Sequence, residues 1–231
     1  MSNTINIDID IIGESIVYNS DCIAGMKEYP DKWFDLAIVD PPYGINYDGE
    51  DGLVKNGKVK RQNGTYGVIK RQSHTKKDWD KEVPREEYFL ELFRVSKNQI
   101  IWGGNYFFLP PTKGIICWDK KQMLPTFSRW ELAWSSFNKP AKMIVHDNRG
   151  FLNNEPNIHP TQKPAYVYDW LLLNYAEKGQ KILDTHLGSG SSRIAAHKNG
   201  FHFVGFEIDQ EYFDKQEKRF KDFTSQTRLF K

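Results

Sequence analysis

The stretch Asp40-Pro41-Pro42-Tyr43 follows an apolar run, Phe34 to Val39, with no polar linker between them. It sets a carboxylate, a carbonyl and a flat ring side by side. An aromatic amine is a poor nucleophile because its lone pair is delocalised into its ring. Two acceptors on its N–H groups, the Asp40 carboxylate and the Pro41 carbonyl, favour the pyramidal amine and stabilise positive charge as it attacks. Pro42 lacks an N–H and fixes φ, which stiffens the turn and lets that carbonyl point outward. Tyr43 offers a face to a planar base. Such a base must first leave its duplex, a cost that stacking and edge hydrogen bonds in a pocket offset. Taken alone, the tetrapeptide is also compatible with an ordinary Asp-Pro turn at a strand end.

A second stretch, "ILDTHLGSGSSR", places Asp184 at a strand end and Gly188 and Gly190 ahead of a helix. Glycines there let a ligand approach the backbone, and the helix N-terminus offers unpaired N–H groups to an anionic group. Seventeen residues beyond Gly190, Glu207 closes the next apolar run, where a carboxylate can accept both hydroxyls of a ribose. A nicotinamide fingerprint wants a third glycine where Arg193 stands. Two phosphates beside Asp184 would be repelled, so the loop suits a cationic methionine-type ligand better than a pyrophosphate. By itself it is equally a strand-to-helix turn that needs glycine.

The elements that must position these residues can be read along the chain. Residues 1 to 14 alternate Ile with Asp or Asn and suggest an edge strand or ordered tail. Ser15 to Asn19 reads as a strand, Asp21 to Tyr29 as a helix opened by an acid, and Phe34 to Val39 as a buried strand. Residues 45 to 83 have no apolar period and are too long for a plain connector. Pro84 opens a helix with Tyr88, Leu92 and Val95 on one face, which leads into a strand from Gln99 to Trp102. Strand-like runs come next at Gly114 to Trp118 and Trp130 to Phe137, and 138 to 163 is loop-rich. A helix from Pro164 to Lys178 ends at Gly179 as a left-handed cap. Then come the strand Lys181 to Asp184, the glycine loop, a helix to about Lys198, the strand Phe201 to Ile208 and a helix from Asp209. Strand, helix and strand of those lengths imply a parallel crossover, hence an open sheet with helices on both faces.

The 231 residues suit one large α/β domain with loop insertions. The formal charge of +2 names no partner, but its distribution is informative. From Leu53 to Lys77 there are eight cations, Lys55, Lys58, Lys60, Arg61, Lys70, Arg71, Lys76 and Lys77, and no acid; removing those eight charges leaves −6 on the rest of the chain. The two cysteines, Cys22 and Cys117, are far apart with no metal-ligand spacing, which argues against a disulfide framework or zinc site and for small core residues. The six histidines show no ligand spacing either, so no metal is expected. The first residues lack the basic start and apolar stretch of a signal peptide, and no apolar run approaches the ~18 residues that span a bilayer. The expectation is a soluble, cytoplasmic protein with no membrane contact.

In this order the motifs resemble the amino-methylating DNA methyltransferases that use S-adenosylmethionine, in the class, often called beta, whose catalytic tetrapeptide precedes the cofactor loop. The resemblance runs through "NSDCIAGM" (19–26), "FDLAIVDPPYG" (34–44), residues 86–103, "HPTQKP" (159–164), "ILDTHLGSGSSRIAAHKNG" (182–200) and "FVGFEID" (203–209). It implies a single Rossmann-like α/β methyltransferase domain over 1–231, with a mostly parallel sheet, helices on both faces and inserted DNA-binding loops. It makes Asp40, Pro41, Pro42 and Tyr43 the catalytic turn. Asp184, Gly188 and Gly190, with Ser189 between the glycines, hold the methionine part of S-adenosylmethionine. Glu207 takes the ribose, Asp21 lies near the adenine, and Thr161, Gln162 and Lys163 approach the carboxylate end. Read from the residues, Lys163 is a reasonable carboxylate partner between two prolines, although such a stretch is also a plain turn before a helix. The family usually has Pro-Phe after the loop's acid. Here Thr185 and His186 stand there, so His186 must supply the ring face against the cofactor, and affinity or pH dependence can differ.

Methylation at cytosine C5 needs a thiolate, usually presented after proline; Cys22 follows Asp and Cys117 follows Ile, which favours direct in-line transfer to an amine. An acid in the first position of the tetrapeptide leans to adenine N6 in this family, with cytosine N4 the alternative. The basic segment within loop 45–80 argues for double-stranded DNA as the partner, since each neutralised phosphate releases counterions; it equally reads as a solvated face. Loop 119–158, with Arg129, is the expected target-recognition insertion. A homodimer and a cognate restriction endonuclease on another chain are family properties that no stretch here carries. The competing reading is a nucleic-acid-binding protein that kept the fold and lost turnover, against which the intact Asp40, Gly188, Gly190 and Glu207 speak.

Overall fold

The structure, a computed structural model, describes residues 14–46, 58–60, 66–68, 77, 79–121, 128–147 and 157–228. In chain order the elements are β1 (Ser15–Asn19), α1 (Cys22–Lys27), β2 (Phe34–Val39), β3 (Lys58–Lys60), β4 (Tyr66–Val68), α2 (Glu86–Val95), β5 (Ser96–Trp102), β6 (Ile116–Asp119), β7 (Trp130–Ser135), β8 (Lys142–Val145), α3 (Ala165–Tyr175), β9 (Lys181–Asp184), α4 (Ser191–Lys198), β10 (His202–Glu207) and α5 (Gln210–Arg228). Eight strands form one sheet in the order β1-β10-β9-β2-β5-β7-β6-β8, and β3 and β4 form a separate antiparallel pair. The strands from β1 to β5 in that spatial order run parallel, while β7 lies antiparallel between β5 and β6.

Successive residues of a strand face opposite sides of a sheet, and a sheet covered on both faces needs strands that are apolar throughout. β2 meets that demand. Leu36 and Ile38 join a core with Val167 and Leu171 of α3 and Ala195 of α4, whereas Ala37 and Val39 join a second core with Met26 of α1 and Leu92 of α2. α2 buries Tyr88, Leu92 and Val95, one stripe of a 3.6-residue period, and carries Glu86 and Glu87 in its first turn where the helix dipole favours acids.

Two sequence expectations need correction. The helix expected to run to Lys178 under a Gly179 cap ends at Tyr175: Ala176 is already extended (φ −117°, ψ 155°). Gly179, at φ 84°, serves a separate turn in which the Gln180 N–H donates to the Glu177 carbonyl. The stretch 138–163, expected to be loop, contains β8. That strand sits at the sheet edge and buries only Ile144 of its four residues, and its apolar part, Met143 to Val145, is too short to stand out. The proposed edge strand or tail at 1–14 falls almost wholly outside the described residues. Among those described, no helix is long and apolar enough to cross a membrane.

β2 and β9 are hydrogen-bonded neighbours, with Leu36 opposite Ile182 and Ala37 opposite Leu183. From β9 the chain moves outward to β10; from β2 it moves the other way, to β5. This is a topological switch point, where loops leaving the carboxyl ends of parallel strands open a crevice. Asp40 and Asp184 are the first residue after β2 and the last of β9.

Candidate active site

The turn Asp40–Tyr43, expected to be catalytic, is fixed from several sides. Asp80 is buried, and its Oδ1 accepts the N–H groups of Tyr43 and Gly44 at 2.7 and 3.0 Å. Gly44 holds φ 70°, and a Cβ there would meet Val83 at 3.0 Å, so the position requires glycine. Asp40 accepts the Tyr43 hydroxyl on Oδ1 at 2.6 Å, and the Lys163 ammonium lies on Oδ2 at 2.5 Å. Lys163 is 3% exposed and also pairs with Glu131 Oε2 at 3.0 Å; Glu131 Oε1 in turn takes Lys120 at 2.8 Å. Burial works against the Lys163 charge, but the Asp40 and Glu131 carboxylates outweigh it and raise the ammonium above its ordinary value. Burial likewise works against the Glu131 anion, and Lys163 and Lys120 override it to hold that carboxyl down at about 2. Among the described residues no donor occupies the Pro41 carbonyl.

The face expected to receive a base is covered. Tyr106 stacks on Tyr43 with centroids 4.9 Å apart and planes 14° from parallel, and Phe107 meets the same ring edge-on at 6.2 Å. A base using that face has to take the place Tyr106 holds. Gly103, at φ 69°, lets the turn after β5 lie against Tyr43; a Cβ there would be 2.2 Å from Tyr43 Cε1.

On the glycine loop, Asp184 is 2% exposed. Its Oδ2 accepts the Ser192 hydroxyl at 2.5 Å and its Oδ1 the His186 N–H at 3.0 Å. Burial nevertheless pushes the carboxyl up to about 7, with the Asp40 and Glu207 carboxylates adding to the rise. Gly188 and Gly190 take φ 52° and 72°, and Gly190 caps the N-terminus of α4. Glu207 is oriented by the N–H groups of Gly188 (2.8 Å) and Asp209 (2.9 Å), one on each oxygen. Arg193, where a third glycine would stand, donates to Ser15, Gln216 and Glu217 and so ties α4 to β1 and α5. The ring of His186 meets Tyr88 edge-on at 5.3 Å, and burial lowers its imidazole to about 4, so it stays neutral at ordinary pH.

A half-open cleft of about 350 Å³ touches both motifs at their margins, at Pro42 and at His186, without being lined by Asp40, Asp184 or Glu207. Asp21, Cys22, Ile23, Pro42, Tyr88 and His186 are among its lining residues. Asp21 also caps α1 by accepting the Ala24 N–H at 2.8 Å. Cys22 and Cys117 are free; both are partly buried, and Cys22 packs against the second core. Burial, with Asp21 beside it, pushes the Cys22 thiol up to about 12, which removes it as a nucleophile.

The other expected residues are spread more widely. Lys163 lies on Asp40, at the catalytic turn. His159, from the same stretch, faces Gly188, where a Cβ would be 3.6 Å from its ring. Thr161 hydrogen-bonds His159 (3.1 Å between Oγ1 and Nδ1), and Gln162 accepts the Ile158 N–H, so both shape their own loop. Ser189 is buried, its hydroxyl on Ser191 and its carbonyl on Arg219. Arg129 is exposed, 4.0 Å from Asp119. Lys77 is paired with Asp209 and Glu211 at 2.6 and 2.9 Å. Lys58 and Lys60 lie on β3, and Lys55, Arg61, Lys70, Arg71 and Lys76 fall outside the described residues. Asp80, Glu131 and Tyr106 were not anticipated. The one available signal was Glu131, an acid within the apolar run "WELAW".

The chain is similar in sequence and fold to known methyltransferases. The family profile described as DNA methylase (N6_N4_Mtase) matches residues 119–218. The type II methyltransferase M.BglII of Bacillus subtilis is 23% identical over 86% of this chain, which spans 66% of that protein's length. The type II methyltransferase M2.MboI of Moraxella bovis is 24% identical over 90% of the chain and 88% of its own. Among solved structures, the M1.HpyAVI–SAM complex superposes with a TM-score of 0.56 at 18% identity, covering 89% of this chain and 98% of the other. The cytosine-N4-specific PvuII DNA methyltransferase reaches 0.56 at 13% identity, with 93% of each chain covered. The fold is the Rossmann-like one these methyltransferases share. Within that fold, residues 119–218 match the DNA methylase profile, and the chain is similar in sequence to type II methyltransferases.

Proposed function

We propose that this chain transfers a methyl group from S-adenosylmethionine to the exocyclic N6 of an adenine extruded from double-stranded DNA. The observation that carries this reading is a shared cavity, to which the catalytic turn contributes Pro42 and the glycine-loop side contributes His186, with Asp21 beside them.

The residues present suit the cofactor. Asp184 is a buried carboxyl whose ionised form has no counter-ion among the described residues, and a cationic group answers that need. Glu207 is held by backbone donors with lone pairs left for a ribose. His186 takes the place of the family's phenylalanine as a neutral ring. S-adenosylmethionine, when bound, supplies an electrophilic methyl group. Asp40 and the Pro41 carbonyl accept the two N–H groups of the amine and stabilise the charge that develops on it. Tyr43 and Lys163 fix the Asp40 carboxylate in place without exhausting its acceptor capacity. The proton that the alkylated amine sheds passes to Asp40, the acceptor already holding it. Loops 45–80 and 119–158 supply the DNA contacts and target choice.

Incubation with labelled S-adenosylmethionine and mixed-sequence duplex DNA, followed by digestion to nucleosides, tests this. Label in N6-methyladenine is the expected result. Label in N4-methylcytosine replaces the base assignment, and cofactor binding without any labelled DNA supports an inert binding protein on the same fold.

A further inference from the structure

Phe108 is the most exposed large apolar side chain among the described residues, at 107% relative exposure. Its exposure does not come from a loose loop. Gly103 N–H donates to the Leu132 carbonyl and Tyr106 N–H to the Gly103 carbonyl, both at 2.8 Å. Phe107 packs between Tyr43 and Phe89, with centroids 6.2 and 5.3 Å away. The Trp134 indole N–H donates to the Pro110 carbonyl at 2.7 Å, and Pro110 and Pro111 stiffen the backbone on the far side of Phe108. Gly104 lies so close to β7 that a Cβ would be 2.5 Å from the Trp134 Cβ. The run Tyr106-Phe107-Phe108 therefore has one ring on the catalytic tyrosine, one anchored in the protein and one held out in water.

A single exposed apolar side chain is ordinary on a protein surface; what sets Phe108 apart is that the short segment carrying it also carries Tyr106, stacked on the Tyr43 ring. The partner that matches is a base stack with a vacancy. When a base leaves a duplex, the gap is bounded by two flat apolar faces, and inserted apolar wedges stabilise such unstacked steps. We propose that Phe108 is the side chain that enters the duplex as the target base leaves it. This rests on the reading of the chain as a DNA methyltransferase. Tyr106, two residues earlier, occupies the place on Tyr43 that the base then takes, so one short segment carries both the exposed ring and the ring at the base's seat.

Phe108→Ala and Phe108→Leu test the assignment once the modified site has been mapped by sequencing. On fully paired duplex, kcat/KM of Phe108→Ala falls at least about tenfold, whereas Phe108→Leu, still an apolar wedge, stays within about threefold of the parent. On the same duplex with the target base mispaired, where extrusion costs less, Phe108→Ala recovers to within about threefold. Unchanged activity on paired duplex, or a loss that mispairing does not rescue, overturns the proposal. So does a lowered unfolding temperature for Phe108→Ala, which would assign the ring to packing. Failure of the parent protein to label any DNA defeats the methyltransferase reading instead, and is distinguished by that control.

Discussion

Asp184 combines near-complete burial with a carboxyl pushed up to about 7. A cationic ligand favours the ionised form, so its binding releases a proton. Cofactor affinity is expected to rise as pH increases from about 6 to 8, and calorimetry in two buffers of different ionisation enthalpy should report that proton. The stability consequence has the opposite sense. A carboxyl raised above its unfolded value stabilises the ligand-free fold fully below about pH 4 and loses that contribution as pH rises through about 7. The catalytic turn gives a second expectation. Asp40→Ala should retain cofactor binding and lower turnover by ~10²-fold, the loss expected for one transition-state acceptor, as measured by equilibrium binding alongside methyl transfer. The charge chain behind it gives a third. Lys163→Met leaves two half-buried acids without their shared cation and should lower stability, while adding Glu131→Gln should cost less than the sum of the single changes; urea unfolding of the four proteins measures both. Asp184, Glu207 and Asp40 were legible because acids at strand ends stand out against apolar runs. Lys163 was legible as an anion partner for the cofactor's carboxylate, but the anion it pairs with, Asp40, is remote in sequence. Asp80 gave no signal, because what it does is accept two backbone N–H groups from a turn elsewhere in the chain.

Elements were legible where burial is two-sided. β2 and β9 match their expected bounds residue for residue, because a strand covered on both faces must be apolar throughout. α2 was visible from its stripe; the edge strand β1 matched its expected bounds, whereas β8, with three apolar residues in a loop-rich stretch, did not stand out. The turn after β5 shows how backbone conformation can place a ring. Gly103→Ala adds the roughly 1–2 kcal/mol cost of a left-handed residue and drives a methyl group into Tyr43. The expected outcome is a sharp drop in kcat with cofactor affinity retained, checked by steady-state kinetics alongside equilibrium binding.

Over the whole molecule, charge is divided between a basic segment and an acidic remainder. Each phosphate contact contributes about −0.9 to the slope of log affinity against log salt. Replacing Lys58, Lys60 and Arg61 together by alanine should make that slope shallower by up to about 3 and leave cofactor affinity unchanged, as measured by DNA-binding titrations over a range of salt. Lys77 makes a poor candidate for such a contact, held as it is by Asp209 and Glu211.

The hydrogen-bonded adjacency of β2 and β9 has one more consequence. Order of translation and order in space are independent here, since the ladder between those two strands, and not the intervening polypeptide, sets the distance between the glycine loop and the Asp40–Tyr43 turn. A gene rearranged so that the part beginning at β9 is synthesised first, with the present ends joined by a flexible linker, should yield an enzyme with the same crevice.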